Sequence, residues 1–502
     1  MNHITKTTYL QFLACGKNIW LKLYKPELQE MFELSDFEKG LLAKGNLVER
    51  WARKLFSGGV MVDVYGEEAT RKTQEYVAQH TPIIFQATFI YKTFMARNDV
   101  LEYDHSKDCW NLYEIKGTNS LNEHEEKVDH IEDVTFQTVI LEACDIKIGF
   151  IKLIYLNKDY IRGDEINVQE LFVREDITEQ VNQRKERTRE DMERAANALL
   201  QEDEKALECQ CIFLGRSAHC TTFKYSYPYI PDYSVHDLAR IGNSKKKLVD
   251  LIDSQIYEIN DIPDDFVLSD IQTNQVLVHK RQIPIINIEN VRKELRALQF
   301  PLYFLDYETY PPAIPLFKGF KPYQQVPFQF SLDVLTDPDG ELVHHEYLHE
   351  QATDPSGAVV TKLQQIIGNK GTVIVWNKSF ERKINTQLAE RGQEYQVFLE
   401  DVNERVYDLM DIFQKQMYIH PGFKGKTSIK KVLPVLVPEL TYADLEIREG
   451  GAATEAWYEM VFGDSTTLFE KQKISENLKK YCGRDTYAMY AIWQFLWKSV
   501  NI

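Results

Sequence analysis

The run PLYFLDYETY (301–310) places two acidic residues in an otherwise apolar, β-prone stretch. It reads as a buried strand, and the two-residue period of a strand puts Asp306 and Glu308 on one face. Carboxylates on a core strand are costly to bury without a partner. A divalent cation supplies that partner, since Mg²⁺ takes one or two carboxylates and keeps several waters. Two later segments can extend the set. TVIVWNKSFERKI (372–384) reads as a strand running into a helix, with Asn377, Phe380 and Glu381 at the junction. LKKYCGRDTYAMYAIW (478–493) reads as a helix on which Tyr481 and Asp485 are neighbours, four residues apart. Asp408, in RVYDLMDIF, reads as a negative charge at a helix N-terminus.

A second constellation lies earlier in the chain. FMARNDVLEY (94–103) and CWNLYEIKGT (109–118) both read as strands. Alternation in the second puts Trp110, Leu112, Glu114 and Lys116 on one face, and Asp99 of the first can meet them. Asp99 and Glu114 could hold a divalent metal, with Lys116 orienting water or stabilising developing charge. GNLVERWARKLF (45–56) has helical spacing and offers Glu49 as a further carboxylate. In EDVTFQTVIL, Asp133 and Gln137 share one helix face.

The earlier set resembles the PD-(D/E)XK nuclease superfamily, in its RecB-like branch. The resemblance makes Asp99, Glu114, Lys116 and the helix glutamine Gln137 catalytic. Gln86, in IIFQATF, stands where relatives often carry Glu. The later set resembles the DEDD exonucleases, the DnaQ-like branch of the ribonuclease-H-like fold. Asp306-Tyr307-Glu308 matches their first motif. Asn377 to Glu381 matches the second, with Glu for Asp. Tyr481 and Asp485 match the third in its tyrosine form. The resemblance implies two-metal phosphodiester hydrolysis, with Tyr481 orienting the attacking water. The pairing of the two halves resembles a bacterial family of unassigned function, over a span that includes SVHDLARIG and GKTSIKKVLP.

Seven cysteines in a chain without a recognisable signal peptide do not read as a disulfide framework. Cys15, in LACGKNIWLKLYKPEL, with Cys209, Cys211 and Cys220, resembles the iron–sulfur subgroup of the RecB-like nucleases. That resemblance implies a [4Fe–4S] cluster, with zinc as the alternative. The later three fall as C-x-C-x8-C, away from the usual spacing. Cys109, Cys144 and Cys482 read as core cysteines.

These sets need α/β scaffolds. The expectation is a PD-(D/E)XK restriction-endonuclease-like domain over 1–225 and a helical connector over 226–297. A ribonuclease-H-like DEDD exonuclease domain would follow over 298–502. A long exposed helix is expected over 174–206 and an amphipathic one over about 475–499. No run of some 18 apolar residues occurs, so no membrane span and a cytoplasmic location are expected.

The net charge of −17 excludes a protein that coats DNA by bulk positive charge. It suits an enzyme whose clustered carboxylates hold Mg²⁺ or Mn²⁺. Local basic groups (Arg184, Lys185, Arg187 and Arg189; Lys245–Lys247; Lys424, Lys426, Lys430 and Lys431) read as solvated faces. Tyr307, Tyr310, Phe317, Phe320 and Tyr323 are candidates for stacking unpaired bases. The expected activity is a nuclease on DNA first and RNA second, in repair or in defence against mobile elements. The alternative is a nucleic-acid-binding scaffold with decayed sites, which Gln86 and Glu381 favour.

Overall fold

Alternation along the strands sorts their side chains between two covered faces in each half of the protein. The structure, a computed structural model, describes residues 3–120, 129–201, 204 and 207–500, with the side chains of Asp36, Phe37 and Lys245 excepted. It is mixed α/β and divides into two compact units. The first comprises 1–212, 218–228 and 312–324; the second comprises 213–217, 229–311 and 325–502. No described helix is long and apolar enough to cross a membrane.

The first unit holds a seven-stranded mixed sheet. Its main path runs β2 (Val60–Met61), β3 (Ile83–Tyr91), β4 (Phe94–Asp104), β5 (Cys109–Ile115), β6 (Ile148–Leu156) and β7 (Phe172–Asp176), and β1 (Ile4–Thr5) pairs with β4. One face carries Ile84, Phe89, Leu101, Leu112 and Leu153 against α1 (Lys6–Tyr24), α4 (His130–Ala143) and α5 (Thr178–Leu199). The other carries Phe85, Val100, Tyr113 and Ile154 against Val48 and Ala52 of α2 (Asp36–Ala52). A third helix, α3 (Gly66–Ala78), lies before β3. The β3–β4 ladder is interrupted at Gln86, whose φ of 58° is left-handed, and at Asp99 opposite it. Side-chain parity switches there: Phe85 and Val100 enter one core, while Phe89, Ala96 and Phe94 enter the other. A strict two-residue period does not anticipate this kink.

The exposed helix expected over 174–206 is shorter. FVRED pairs with β6 as β7, and α5 then buries Val181, Met192, Ala195 and Leu199. Residues 312–324, expected in the later domain, belong to the first unit. There Ala313 and Ile314 are buried, and Arg162 donates to the carbonyls of Pro315 (2.6 Å) and Leu316 (2.8 Å).

The second unit is built on a five-stranded sheet in the order β11 (Leu342–Leu348), β10 (Val326–Leu335), β9 (Leu302–Tyr310), β12 (Thr372–Val375), β13 (Val406–Asp408). The first three are antiparallel to their neighbours; β9, β12 and β13 run parallel. A small ribbon pairs β8 (Ile285–Ile286) with β14 (Tyr418–Ile419). Leu302 and Phe304 face a core shared with α10 (Leu468–Val500) and α8 (Ile429–Leu436). Tyr303, Leu305 and Tyr307 face α6 (Lys378–Ala389) and α7 (Gln393–Glu404). A further helix, α9 (Gly450–Phe462), buries Trp457. By parity Asp306 and Glu308 follow Leu302 and Phe304, toward α10. That helix begins at Leu468, ahead of the expected 475. The stretch expected as a connector is part of this unit, since Val291 and Leu295 of Ile288–Arg296 join the α10 core.

Gly371 sets the entry to β12. Its φ is 98°, and a Cβ there would sit 2.2 Å from the carbonyl oxygen of Pro301, while Thr372 N donates to that oxygen at 3.1 Å. Gly371→Ala is therefore expected to destabilise the second unit by at least about 2 kcal/mol. The urea midpoint measures it, and an unchanged midpoint would show that the strand entry can shift freely.

Candidate metal centres

In the second unit, period two turns Asp306 and Glu308 toward the face of α10 that carries Tyr481, Cys482 and Asp485. One carboxylate oxygen from each of Asp306 and Glu308 and the Sγ of Cys482 lie within 4.8 Å of one another. Cys482 Sγ is 3.9 Å from Asp306 Oδ2. Cys482, expected as an ordinary core cysteine, is instead a fully buried thiol among carboxylates.

Burial, then Asp485, Glu308 and Glu381, push the Asp306 carboxyl well above the usual carboxylate range. Burial and Asp485 do the same to Glu308, opposed by Lys430. Asp485 is raised to about 6 by burial, against the pull of Tyr442, Lys430 and Tyr481. Its Oδ1 accepts from the Tyr442 hydroxyl at 2.5 Å. Tyr481 is buried, and its hydroxyl accepts from Lys430 Nζ at 3.2 Å.

Glu381 lies in the first turn of α6, after Asn377 at the N-cap. It is 3% exposed, its Oε2 has no hydrogen-bond partner among the described residues, and burial raises its carboxyl to about 8. Asp306, Glu308 and Cys482 form a donor set that a divalent cation would satisfy. Asp408 ends β13 and accepts from the backbone of Lys378 (3.0 Å) and Met410 (3.1 Å). It thus caps α6 as well as the turn that follows it.

The candidate stacking aromatics are otherwise employed. Tyr307 is buried and donates to Asn385 Oδ1 at 2.7 Å. Tyr310 is buried against Tyr458 (4.9 Å between ring centroids). Phe317, Phe320 and Tyr323 belong to the first unit, where the Tyr323 hydroxyl donates to the carbonyl of Gly117.

In the first unit the β3–β4 interruption brings Gln86 beside Asp99. Arg97 donates to Gln86 Oε1 (2.7 Å), which orients the amide so that Nε2 donates to Glu49 (2.5 Å) and Asp99 (3.1 Å). Asp99 also accepts from Ile115 N at 2.8 Å. Glu114 Oε1 accepts from Lys116 (2.8 Å) and from Lys6 (2.7 Å); its Oε2 accepts from Gln137 (2.8 Å). Gln137 also donates to Asp133 at 2.9 Å and accepts from Asn98 at 2.8 Å. Lys116 pairs with Asp133 as well.

The two carboxyls diverge in charge. Burial, then Glu114, raises Asp99 to about 8. Burial also opposes the Glu114 charge, but Lys116 and Lys6 outweigh it and hold that group at about 2. Glu114 thus contacts Lys116 and Gln137, and Asp99 accepts from the backbone next to Glu114. The structure adds Lys6, at the start of α1, which the sequence reading missed. Any ion that used Glu114 Oε1 would have to displace the Lys6 ammonium from it.

Cys15, Cys209, Cys211 and Cys220 also converge. Their sulfurs lie within 4.8 Å of one another, with Cys15–Cys209 at 3.7 Å and Cys209–Cys220 at 3.5 Å. Cys15 interrupts α1 with extended torsions (φ −163°, ψ 102°). The same helix is tied to the far end of the unit. Trp20 donates to Gln201 O (2.8 Å), and Asn18 accepts from Thr222 N (3.0 Å) and Oγ1 (2.8 Å). A tetrahedron with edges of about 3.7 Å has its centre about 2.3 Å from each corner, the Zn–S bond length. A four-iron cluster needs more room, because each thiolate binds a different iron. The four sulfurs could hold a metal centre, and the two shortest separations are of the size that one tetrahedral ion would span.

Among the basic groups, Lys185 pairs with Glu142 (2.5 Å), Arg187 with Asp191 (3.7 Å), and Arg184 with Asp129. The Lys245 side chain lies outside the described residues.

Residues 303–428 match the family described as a domain of unknown function (DUF2779). An uncharacterized protein of Ureaplasma parvum serovar 3 is 31% identical over 160 residues, which is 29% of this chain and 23% of that protein. An uncharacterized protein of Mycoplasma genitalium is 27% identical over 214 residues, 38% of this chain and 31% of that protein. The chain spans less than a third of the length of either relative. The family match takes in Asp306, Glu308 and Glu381 and stops before Lys430, Tyr481, Cys482 and Asp485.

Proposed function

We propose that the chain is a divalent-metal-dependent nuclease with two candidate sites. The observation that carries this reading is the donor group of half-buried Asp306 with buried Glu308 and Cys482, beside Tyr481 and Asp485 of one helix. The sheet order β11-β10-β9-β12-β13, with its antiparallel and parallel halves, supports a ribonuclease-H-like DEDD unit. The Asp99, Glu114, Lys116 and Gln137 network beside α4 supports a PD-(D/E)XK unit.

Bound ions would neutralise phosphate charge and lower the pKa of water. The chain's own residues hold and orient. Asp306 and Glu308 fix the site from one strand, the Tyr442 hydroxyl fixes Asp485, and Lys430 fixes the Tyr481 hydroxyl. Lys116, held by Glu114 and Asp133, presents an ammonium to developing negative charge.

The test is end-labelled single- and double-stranded DNA and RNA, with Mg²⁺, Mn²⁺ or chelator. Wild type runs beside Asp99→Ala and Asp306→Ala. Metal-dependent cleavage lost in one variant assigns the chemistry to that unit and names the polymer. Binding without cleavage by wild type would favour the scaffold reading, which the Lys6–Glu114 pair and Gln86 in the first unit favour.

For the cysteines we propose one tetrahedral zinc ion that staples α1 to residues 209–220. Elemental analysis is expected to find zinc without acid-labile sulfide. Cys211→Ser should lose the ion and at least about 3 kcal/mol of stability, because metal binding is folding free energy here. Iron accompanied by sulfide would reinstate the cluster.

A further inference from the structure

Cys482 sits where a packing role explains little. A buried cysteine normally behaves as a small hydrophobe, yet this one is fully buried with its sulfur 3.9 Å from Asp306 Oδ2. Cys482 and Asp485 are three apart on α10, hence on one helix face. The sulfur and one oxygen each from Asp306 and Glu308 lie within 4.8 Å of one another. That spread lets a single ion reach all three donors. An independent observation points the same way. Glu381 Oε2, on a different element, is buried without a hydrogen-bond partner among the described residues, and its charge bears on Asp306.

We infer that Cys482 is a direct thiolate ligand in the Asp306–Glu308 centre. The centre accordingly selects a borderline, thiophilic divalent ion of the Fe²⁺, Co²⁺ or Zn²⁺ kind over Mg²⁺. The inference rests on reading this group as a cation site; it does not require that the site cleave nucleic acid. Mg²⁺ demands near-ideal octahedral oxygen ligation and gains nothing from sulfur. Thiolate ligands select softer ions. On binding, the thiol proton leaves to solvent and the sulfur lone pair enters the coordination bond, so no oxidant or reductant is needed.

The test is a Co²⁺ titration of the full chain, followed by thiolate-to-metal charge-transfer absorption. Wild type is compared with Cys482→Ser, which preserves shape, and with an Asp306→Asn/Glu308→Gln double variant, which leaves the thiol in place. Any uptake by the four clustered cysteines of the first unit is common to all three proteins and cancels in the difference spectra. The expected result is a charge-transfer band in the wild-type-minus-variant difference spectrum for both variants. Cys482→Ser should also lower the Co²⁺-to-Mg²⁺ affinity ratio at this centre at least about tenfold, since even residues behind the ligands are worth roughly 10–100-fold. If Cys482→Ser fails to fold, the double variant alone decides. A wild-type-minus-double-variant difference spectrum with no such band overturns the assignment. Thiolate binding without cleavage of any polymer would leave this inference standing and sink the nuclease reading instead.

Discussion

Asp306→Asn is expected to lower metal-dependent cleavage by the second unit by about 10²–10³-fold, the scale of removing one electrostatic contact to a reacting centre. It should do so without destabilising the protein. Burial and three neighbouring acids raise the Asp306 carboxyl well above the usual range. Without a cation, the folded state therefore prefers this group protonated. A carboxyl raised in this way contributes stability that is present below its unfolded pKa and lost as pH rises through its folded value. Asparagine has the same shape and no charge to repel Glu308 or Asp485. Chelated Asp306→Asn should thus melt at or above the wild-type temperature at pH 8, while Mg²⁺ or Mn²⁺ raises its Tm less than it raises the wild type. This pairing separates a metal ligand from a packing residue. Unchanged chelator-sensitive cleavage in Asp306→Asn, and in the double variant with Asp99→Ala, would remove both sites from consideration.

What could be read from the sequence follows from where periodicity holds. Asp306 and Glu308 sit on a regular strand, so their shared face was legible from spacing, as was the Asp133–Gln137 pair on α4. Asp99 was found by residue type, but the geometry that delivers it was not. The β3–β4 ladder breaks at Gln86, and no two-residue pattern encodes a left-handed torsion at a glutamine. Lys6, Lys430 and Tyr442 were missed for a different reason. Each reaches its site through tertiary packing, from 108, 51 and 43 residues away along the chain respectively. Lys430 carried a weak signal as one of several lysines in a basic run, where a solvated face was the better reading. The aromatic run after Glu308 misled because composition does not say which core a ring fills. Phe320 is 1% exposed and belongs to the first unit.

The two lysines on Glu114 should separate by experiment. Lys116→Ala is expected to lower cleavage by the first unit by about 10²–10³-fold, because Glu114 and Asp133 hold that ammonium inside the site. Lys6→Ala should act mainly on the metal-free protein. Lys6 is 28% exposed and Glu114 only 1%. Losing this partner costs less than the 3–5 kcal/mol of a fully buried pair, about 2 kcal/mol, because water screens one end and Lys116 remains. The variant should therefore melt lower in chelator.

It should also gain more from Mg²⁺ or Mn²⁺ than wild type does, since the ion no longer competes with an ammonium for Glu114 Oε1. At 100 times its Kd a ligand adds about 2.7 kcal/mol, and removing a competitor lowers that Kd. The pH dependence has a definite sign. Asp99, raised to about 8 by burial and Glu114, favours folding while protonated. Its contribution to the metal-free protein is full below about pH 4 and is lost as pH rises through about 8. The ion displaces that proton, so the metal-induced rise in Tm should grow across this window. Lys6 lowers the Asp99 value, so Lys6→Ala should move the window upward. A metal-induced shift that is equal in wild type and Lys6→Ala, and flat with pH, would mean that no ion binds between Asp99 and Glu114. Lys6 would then be a permanent structural counter-charge, and the first unit would be left as a binding surface without a metal centre of its own at these residues.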